Sequence, residues 1–432
     1  MTNPIDRIGW NRFAALLGLV VALVFAVLMV LRPDAEWAQV FVAASRELWV
    51  GRDFYDHGPQ TLYLYPPFGA LVGLPFAPFP EWAIRLLFYA VNVGCIVVIA
   101  RVAWAMAGGR ALPAPSRATR DEWTIVALTA AASVTYAWNT VLHQQADLLI
   151  DALVAAGMVA ALGRRSLLAG VLIGLGAAFK GPPVLFAVYF LWRRDWVAGL
   201  AVFATAIGVN LLPDLVARAP EGLWVQVWLK RWVLPATDID RAMGAWATQG
   251  IFNIANQSLA GTIQRLVNTD LVAQGRDLVV VAKADLVATR PLKVATYAVM
   301  AVLGLADAVA SLLGDRRRAA LPAADDREAR ALELATVPLL MLLFSPMSGL
   351  AHLPIVAPAA ALLARRAVVR RDPWAAVPLA VAILIALILN KDLVGGRIYD
   401  AVQWSGGATL ALLALWFGTT AALLRPAARP TA

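Results

Sequence analysis

Lys180, in the stretch GLGAAFKGPPVLF, places an ammonium between two apolar segments and beside a Gly-Pro-Pro break that frees backbone groups. An ionisable group at membrane depth is costly and is a functional candidate by default. A compact point charge suits a phosphate arriving from the bilayer; the plainer alternative is a lysine snorkelling from a helix end. Acids gather earlier, between Arg32 and Leu64, as Asp34, Glu36, Glu47, Asp53 and Asp56. A carboxylate at the edge of a low-dielectric site has a raised proton affinity, as a general base acting on a hydroxyl requires. Glu36 and Asp34 lie closest to the preceding apolar run and lead that group.

A third polar group interrupts the apolar chain in QGIFNIANQSLAGTIQRL, from Gln249 to Leu266. Ser258 suits a helix cap. Asn256 and Gln257 can both donate and accept, as a polyhydroxyl ligand would require, and Arg265 follows at helical spacing, where it could meet a phosphate. The histidines, His57, His143 and His352, are far apart and form no metal-binding spacing. His143, in NTVLHQQADLL, and His352, in SPMSGLAHLP, both stand beside polar breaks. No P-loop, Gly-x-Ser-x-Gly or dinucleotide glycine pattern occurs in a strand-turn-helix context, so nucleotide and serine-hydrolase chemistry have no support. Cys95 is the single cysteine, which excludes an internal disulfide and a thiolate metal cluster.

The elements that must position these groups are membrane helices. The 432 residues are 61% hydrophobic and 15% charged, with a mean hydropathy of +0.70, far from the soluble average of about 25% charged. A spanning helix takes roughly 20 apolar residues, and such runs recur at 14–31, 81–107, 123–139, 146–163, 167–179, 183–192, 197–213, 292–313, 331–345, 353–364, 374–390 and 407–424. That predicts an all-α, polytopic single domain of about twelve spans, the first a retained anchor rather than a cleaved signal. The net charge of +9 sits in short clusters such as Arg164-Arg165, Arg193-Arg194, Arg316-Arg317-Arg318 and Arg365-Arg366. This is the positive-inside pattern, with the anionic leaflet rather than nucleic acid as partner. The outer loops are then about 32–65 and 213–290. In the second, Trp224, Trp228 and Trp232 fall on one helical face, as in a helix lying in the interface or one with a buried stripe. The proline-rich YPPFGALVGLPFAPFP, from Tyr65, predicts a partial or re-entrant helix.

Four landmarks occur in one order: VFVAASRELWVGRDFYD followed by YLYPPFGALVGLPFAPFP; AGVLIGLGAAFKGPPVLFAVYFLWRRDW; NQSLAGTIQRL; and SPMSGLAHLPIVAPA. Together they resemble glycosyltransferase family 87, the polyprenyl-phosphate-mannose-dependent α-mannosyltransferases of the GT-C class, over nearly the whole chain. The resemblance implies a GT-C fold and a multi-pass protein of the bacterial inner membrane with a periplasm-facing site. It implies transfer of mannose or another sugar from a polyprenyl-phosphate donor to a lipid or glycan acceptor, inverting the anomeric centre. No metal or nucleotide cofactor is called for.

By that resemblance an acid at the start of the first outer loop is the base, yet ungapped matching on Gly51 and Tyr55 puts Trp37 there, with Glu36 beside it and Asp34 three before. The family's Ser-Pro-x-Ser-Trp-x-His-His reads here as Ser345 to His352, with Gly349 for the tryptophan and only the second histidine kept. The resulting assignment makes Glu36, Asp34 and His352 catalytic, and Lys180 and Arg265 phosphate-binding. Asn256, Gln257, Ser258, Tyr65, His143, Gln144 and Ser345 then bind sugar or acceptor. A transporter or lipid flippase would also want broken helices and intramembrane charge, and the two departures leave a non-catalytic scaffold as a further alternative.

Overall fold

The computed structural model describes residues 4–32, 35–56, 63–109, 117–234, 253–285, 289–318 and 323–425. Asp34 and His57 lie outside the described residues. The apolar, alanine- and leucine-rich runs fold as helices because only a helix satisfies its own backbone groups in lipid. In chain order these are α1 (Pro4–Leu31), α2 (Ala43–Trp49), α3 (Phe68–Gly73), α4 (Glu81–Met106), α5 (Arg120–His143) and α6 (Asp147–Leu162). There follow α7 (Ser166–Phe179), α8 (Leu185–Trp192), α9 (Trp196–Asn210), α10 (Trp224–Trp228) and α11 (Leu259–Asn268). After a hairpin, β1 (Thr269–Gln274) and β2 (Asp277–Ala282), come α12 (Thr289–Arg318), α13 (Ala323–Phe344), α14 (Ala357–Val369), α15 (Pro373–Ile388), α16 (Lys391–Val394), α17 (Gly396–Trp404) and α18 (Gly407–Leu424).

Every apolar run expected to cross the bilayer contains a helix. Among the described residues six helical segments are long and apolar enough to cross by themselves: Arg12–Leu31, Glu81–Met106, Arg120–His143, Trp196–Leu215, Arg290–Gly314 and Gly407–Leu424. The chain is therefore a polytopic membrane protein, with six such spans where twelve were expected. The shortfall has a physical pattern. The 14 residues of α7 rise only about 21 Å, against a hydrocarbon core of about 30 Å. Helices α6 and α7 are cut short where polar breaks enter the bundle, next to Asp147 and Lys180, so the candidate chemistry sits at their ends.

One expectation changes. The long loop contributes an antiparallel hairpin, Thr269 pairing with Ala282 and Gln274 with Asp277, so the chain is not wholly helical. Gly275, at φ +62°, supplies the positive φ that a two-residue hairpin turn demands. Of the two readings of the tryptophan stripe, interfacial or buried, its start takes the second: Trp224 is fully buried and stacks on Phe54 at 4.2 Å. Trp228 donates its indole N–H to the Leu64 carbonyl at 3.0 Å. The stripe thus packs against the first loop. The proline-rich segment forms the six-residue α3 and one 3-10 turn, Leu74–Phe76, too short to cross.

Helices α7 and α9 approach closely through small residues, the usual solution where lipid offers no hydrophobic drive. A Cβ on Gly170 would lie 2.5 Å from the Ala198 carbonyl oxygen, and one on Gly174 2.8 Å from that of Val202. Gly170→Val is therefore expected to destabilise the bundle by about 1–3 kcal/mol, read as a lower melting temperature in detergent. Gly208→Ala, inside α9 with nothing within 4 Å of the new methyl, should not lower it.

Candidate functional site

Four breaks between helices meet around one ammonium. Lys180 ends α7 in an extended conformation, φ −144° and ψ 127°, because Gly181-Pro182-Pro183 cannot continue the helix. Its Nζ donates to both carboxylate oxygens of Asp147, at 2.8 and 2.9 Å. It lies 3.1 Å from His352 Nε2 and 5.0 Å from the centre of the Tyr65 ring. Asp147 is the first residue of α6, following a turn in which Gln144 takes the left-handed conformation that ends α5. The fourth break brings Glu36, which accepts a short hydrogen bond from the Tyr65 hydroxyl and another from the Gln145 side chain.

The aromatic floor beneath Glu36 explains its placement. Tyr65 stacks on Phe41 at 4.6 Å, and the Tyr55 hydroxyl donates to the Tyr65 carbonyl at 2.9 Å. Asn210, at the end of α9, accepts from the Phe68 N–H at 2.9 Å and donates to the Ala178 carbonyl at 3.3 Å, tying the Tyr65-Pro-Pro segment to the end of α7. Trp37, where ungapped matching put the base, is fully buried and stacks on Phe88 at 4.1 Å. The residue immediately before it presents the carboxylate.

Burial pushes Glu36 above its ordinary carboxylate range, against the downward pull of Lys180 and of the Tyr65 and Gln145 hydrogen bonds, while Asp147 adds to the rise. Burial also raises the Tyr65 phenol well above its usual range, with Glu36 and Asp147 adding to it; it stays protonated and donates. Burial lowers the His352 imidazole; Asp147 opposes this and Lys180 reinforces it, so the ring is neutral near pH 7. The Gly349 N–H faces His352 Nδ1 at 2.8 Å while the ammonium faces Nε2. A neutral imidazole has one acceptor, so only one of these contacts is a hydrogen bond at a time.

Beside Lys180 opens a small cleft, lined among others by Asp147, Asp151, Met341, Ser345 and His352. Of the residues expected from the sequence, Glu36, Tyr65, Lys180 and His352 come together, and Ser345 lines the cleft with its hydroxyl donating to the Met347 carbonyl at 2.6 Å. Gln144 serves through its backbone, its carbonyl accepting from the Trp37 N–H at 3.0 Å. His143 is the exposed last residue of α5. Asp147, Asp151 and Gln145 were not expected. The signal for the two acids was present, because carboxylates four residues apart in an otherwise apolar helix, DLLIDALVAAG, fall under the rule that singled out Lys180. Among the described residues no three of His, Cys, Asp or Glu converge to hold a metal.

The polar group around Asn256 has another task. Arg265, 0% exposed, donates through Nε to the Trp404 carbonyl at 2.8 Å, through Nη1 to those of Asn253 and Asn256 at 2.9 and 2.7 Å, and through Nη2 to Gln403 and Thr262 at 3.1 and 3.4 Å. All five donors of a guanidinium are engaged, leaving none for a phosphate. Burial lowers this group to about 10, still charged near pH 7. Asn256 donates to the Pro346 carbonyl at 3.1 Å and accepts from the Ser348 N–H at 3.3 Å. Gln257 donates to the Gln403 carbonyl at 2.8 Å and accepts from the Ala408 N–H at 3.1 Å. Ser258 caps α11 by accepting from the Gly261 N–H at 3.0 Å. Asn256 and Ser258 thus hold the loop that carries His352, while Arg265 and Gln257 tie the start of α11 to the turn at 403–408, which engages the groups expected to meet a ligand.

A polytopic membrane protein whose helix breaks gather a carboxylate, an ammonium and an imidazole has the equipment of a membrane-embedded group-transfer enzyme. The profile of glycosyltransferase family 87 matches residues 63–346, more than half of the chain, and the chain belongs to that family. It is 28% identical over 249 residues, 54% of each chain, to the polyprenol-phosphate-mannose-dependent alpha-(1-2)-phosphatidylinositol mannoside mannosyltransferase of Mycobacterium tuberculosis. Over 155 residues, 35% of each chain, it is 27% identical to the polyprenol-phosphate-mannose-dependent alpha-(1-2)-phosphatidylinositol pentamannoside mannosyltransferase of Mycolicibacterium smegmatis. The chain spans about half the length, or less, of these curated relatives.

Arg265→Lys separates a clamp from a phosphate ligand. A single ammonium cannot satisfy the carbonyls that the guanidinium reaches, and a loss of about 2–4 kcal/mol is expected, read as faster hydrogen exchange in 345–352 and 403–409. The KM for a phosphate-bearing donor should stay within about threefold of wild type in the protein that remains folded.

Proposed function

We propose that this chain transfers a sugar, mannose foremost, from a polyprenyl-phosphate donor to a hydroxyl of a lipid or glycan acceptor, inverting the anomeric carbon, on the periplasmic face of the bacterial inner membrane. The observation that carries the reading is the meeting of Glu36 and Lys180 across Tyr65, a carboxylate of raised proton affinity and an ammonium where breaks between helices come together. The names of the relatives support the donor class, and a lipid-linked donor fits a site at the ends of membrane helices.

In this reading Glu36 removes the proton of the acceptor hydroxyl as its oxygen bonds to the anomeric carbon. The bond from that carbon to the phosphate oxygen breaks in the same step, and the electron pair leaves with the phosphate. One displacement with one base inverts the centre. Lys180 faces the charge that develops on the leaving phosphate, where an ammonium in a water-poor site is most effective. Its N–H groups are engaged by Asp147 and His352, so the phosphate shares or replaces one of those partners. Tyr65 aims Glu36, and His352 positions Lys180.

The test is transfer from radiolabelled polyprenyl-phosphate mannose in membranes carrying the full chain. Glu36→Gln is expected to lower kcat by roughly 10²- to 10⁴-fold with little change in donor KM; full activity in that variant would remove the base assignment.

The pH profile gives an independent check. A base works only when deprotonated, and Glu36 is raised by burial. The wild-type rate should therefore fall as pH drops through a value above the usual glutamate value of about 4.3. The residual rate of Glu36→Gln should lack that limb.

A further inference from the structure

At the end of α7 opposite Lys180, two helix elbows hold charge that the transfer step does not use. Helix α6 passes into α7 through Gly163-Arg164-Arg165, and α8 into α9 through Arg193-Arg194-Asp195. Both close in the same way: the Arg165 N–H reaches the Ala160 carbonyl at 2.9 Å, and the Asp195 N–H that of Phe190 at 2.8 Å. The residue enclosed is left-handed, Arg164 at φ +56° and Arg194 at φ +59°, where glycine or asparagine is less strained. A guanidinium kept at a strained backbone position raises the question of what it meets.

The two elbows form one unit. Gly170 lies against Ala198 and Gly174 against Val202, so α7 and α9 run side by side in the same direction and start at one level. The Ser166 hydroxyl then donates to Asp195 Oδ2 at 2.7 Å, and Asp195 Oδ1 accepts the Ala198 N–H at 3.1 Å, which occupies the acid within the elbows. Arg193 pairs with Glu333 at 3.6 Å. Arg164, Arg165 and Arg194 are exposed, and none has an acidic partner among the described residues. At each elbow one helix ends where another begins, so the helix dipoles offset each other and the local field is that of the arginines. Trp192 and Trp196, 50% and 60% exposed, stand beside them with the exposed Leu167 and Val197. Indoles so placed settle at headgroup level.

We propose that the paired elbows bind one anionic phospholipid of the leaflet they face, with Arg164, Arg165 and Arg194 taking its phosphate and the surface of Trp192 and Trp196 its glycerol and upper acyl region. General attraction to an anionic leaflet needs only charge near a span end; this site needs it on two joined turns. The elbow at Arg370-Arg371-Asp372 supplies the contrast. Arg371 is left-handed too, at φ +51°, but its neighbours are satisfied internally: Arg366 and Arg370 pair with Glu328, and Arg366 also with Asp372. Arg425 already lies over the Trp374 ring, 3.9 Å from its centre.

The experiment takes the full chain in an uncharged detergent, adds phosphatidylglycerol, phosphatidylcholine or inorganic phosphate, and reads the melting temperature and, by native mass spectrometry, the bound lipid. Phosphatidylglycerol should raise the wild-type melting temperature, and the other two should do so much less. The double variant Arg164→Asn with Arg194→Asn keeps residues that tolerate the left-handed turn. Without lipid it should melt no lower than wild type, while its affinity for phosphatidylglycerol falls roughly 10- to 100-fold, as loss of charge-assisted hydrogen bonds would give. Arg371→Asn, the same exchange at the third elbow, should keep wild-type affinity within about threefold. Unchanged affinity in the double variant, or an equal loss in Arg371→Asn, overturns the site. Equal protection of wild type by inorganic phosphate, the mark of a soluble-anion site, or by phosphatidylcholine, the mark of apolar filling alone, also overturns it. If the double variant does not fold, wild type decides: a photoactivatable phosphatidylglycerol must attach within 163–167 or 192–197, and attachment only elsewhere overturns the proposal.

Discussion

Burial of the Lys180 ammonium sets the terms for the rest of the site. A lone ammonium away from water costs several kcal/mol, and Asp147, bonded through both oxygens, is the partner that offsets it. Asp147 can stand there only because α6 begins at that residue, and α6 begins there because Gln144 turns the chain in the left-handed conformation. The Gln144 carbonyl in turn accepts from the Trp37 N–H, one residue from Glu36. Ion pair, helix start and the segment that carries Glu36 are linked by consecutive contacts. Displacing any one of them moves the others, which is why acid and cation can be held apart yet close without a shared secondary-structure element.

The backbone that follows Glu36 is wound more loosely than an α-helix. Residues Trp37–Val42 form a π-helical stretch, in which each turn holds about one residue more than an α turn. An extra residue there rotates the chain before it by about 100° relative to the helix after it. With this winding the Trp37 indole and the Glu36 carboxylate face different neighbours. The indole at that position fills the aromatic core against Phe88 and Phe41; Glu36 faces Tyr65.

What the sequence showed and what it hid divide along the range of the interactions. Lys180 was legible because an isolated cation between apolar runs is anomalous in itself, and Tyr65 and Glu36 were legible through motifs of consecutive residues. The helices could be read from hydropathy, though their lengths could not, because a short apolar run reads the same whether it crosses fully or stops at a buried break. Asp147 carried the same signal as Lys180, but an acid in a first helical turn is ordinary, and the fold shows that this helix starts deep in the bundle. The Asn256 group was misread for the opposite reason. Its partners, Pro346, Gln403 and Ala408, lie about 90 to 150 residues away, and a polar residue satisfied at that distance looks in sequence like one waiting for a ligand.

That misreading points to what the polar group accomplishes. Between α13 and α14 the chain from Ser345 to Leu353 has almost no regular backbone pairing, yet it is largely buried, and unpaired backbone groups there would be as costly as lost hydrogen bonds. Asn256 and Ser258 reach the Pro346 carbonyl, the Gln257 N–H reaches that of Ser348, and Thr140 of α5 reaches that of Ala351 at 2.7 Å. Irregular backbone at such depth is tolerated only where protein groups complete it, and here they come from the long loop and from α5. His352, at the end of that loop, therefore holds its place beside Lys180 because residues remote from the chemistry satisfy the backbone around it. Arg265, itself surrounded by carbonyls, keeps those residues in register.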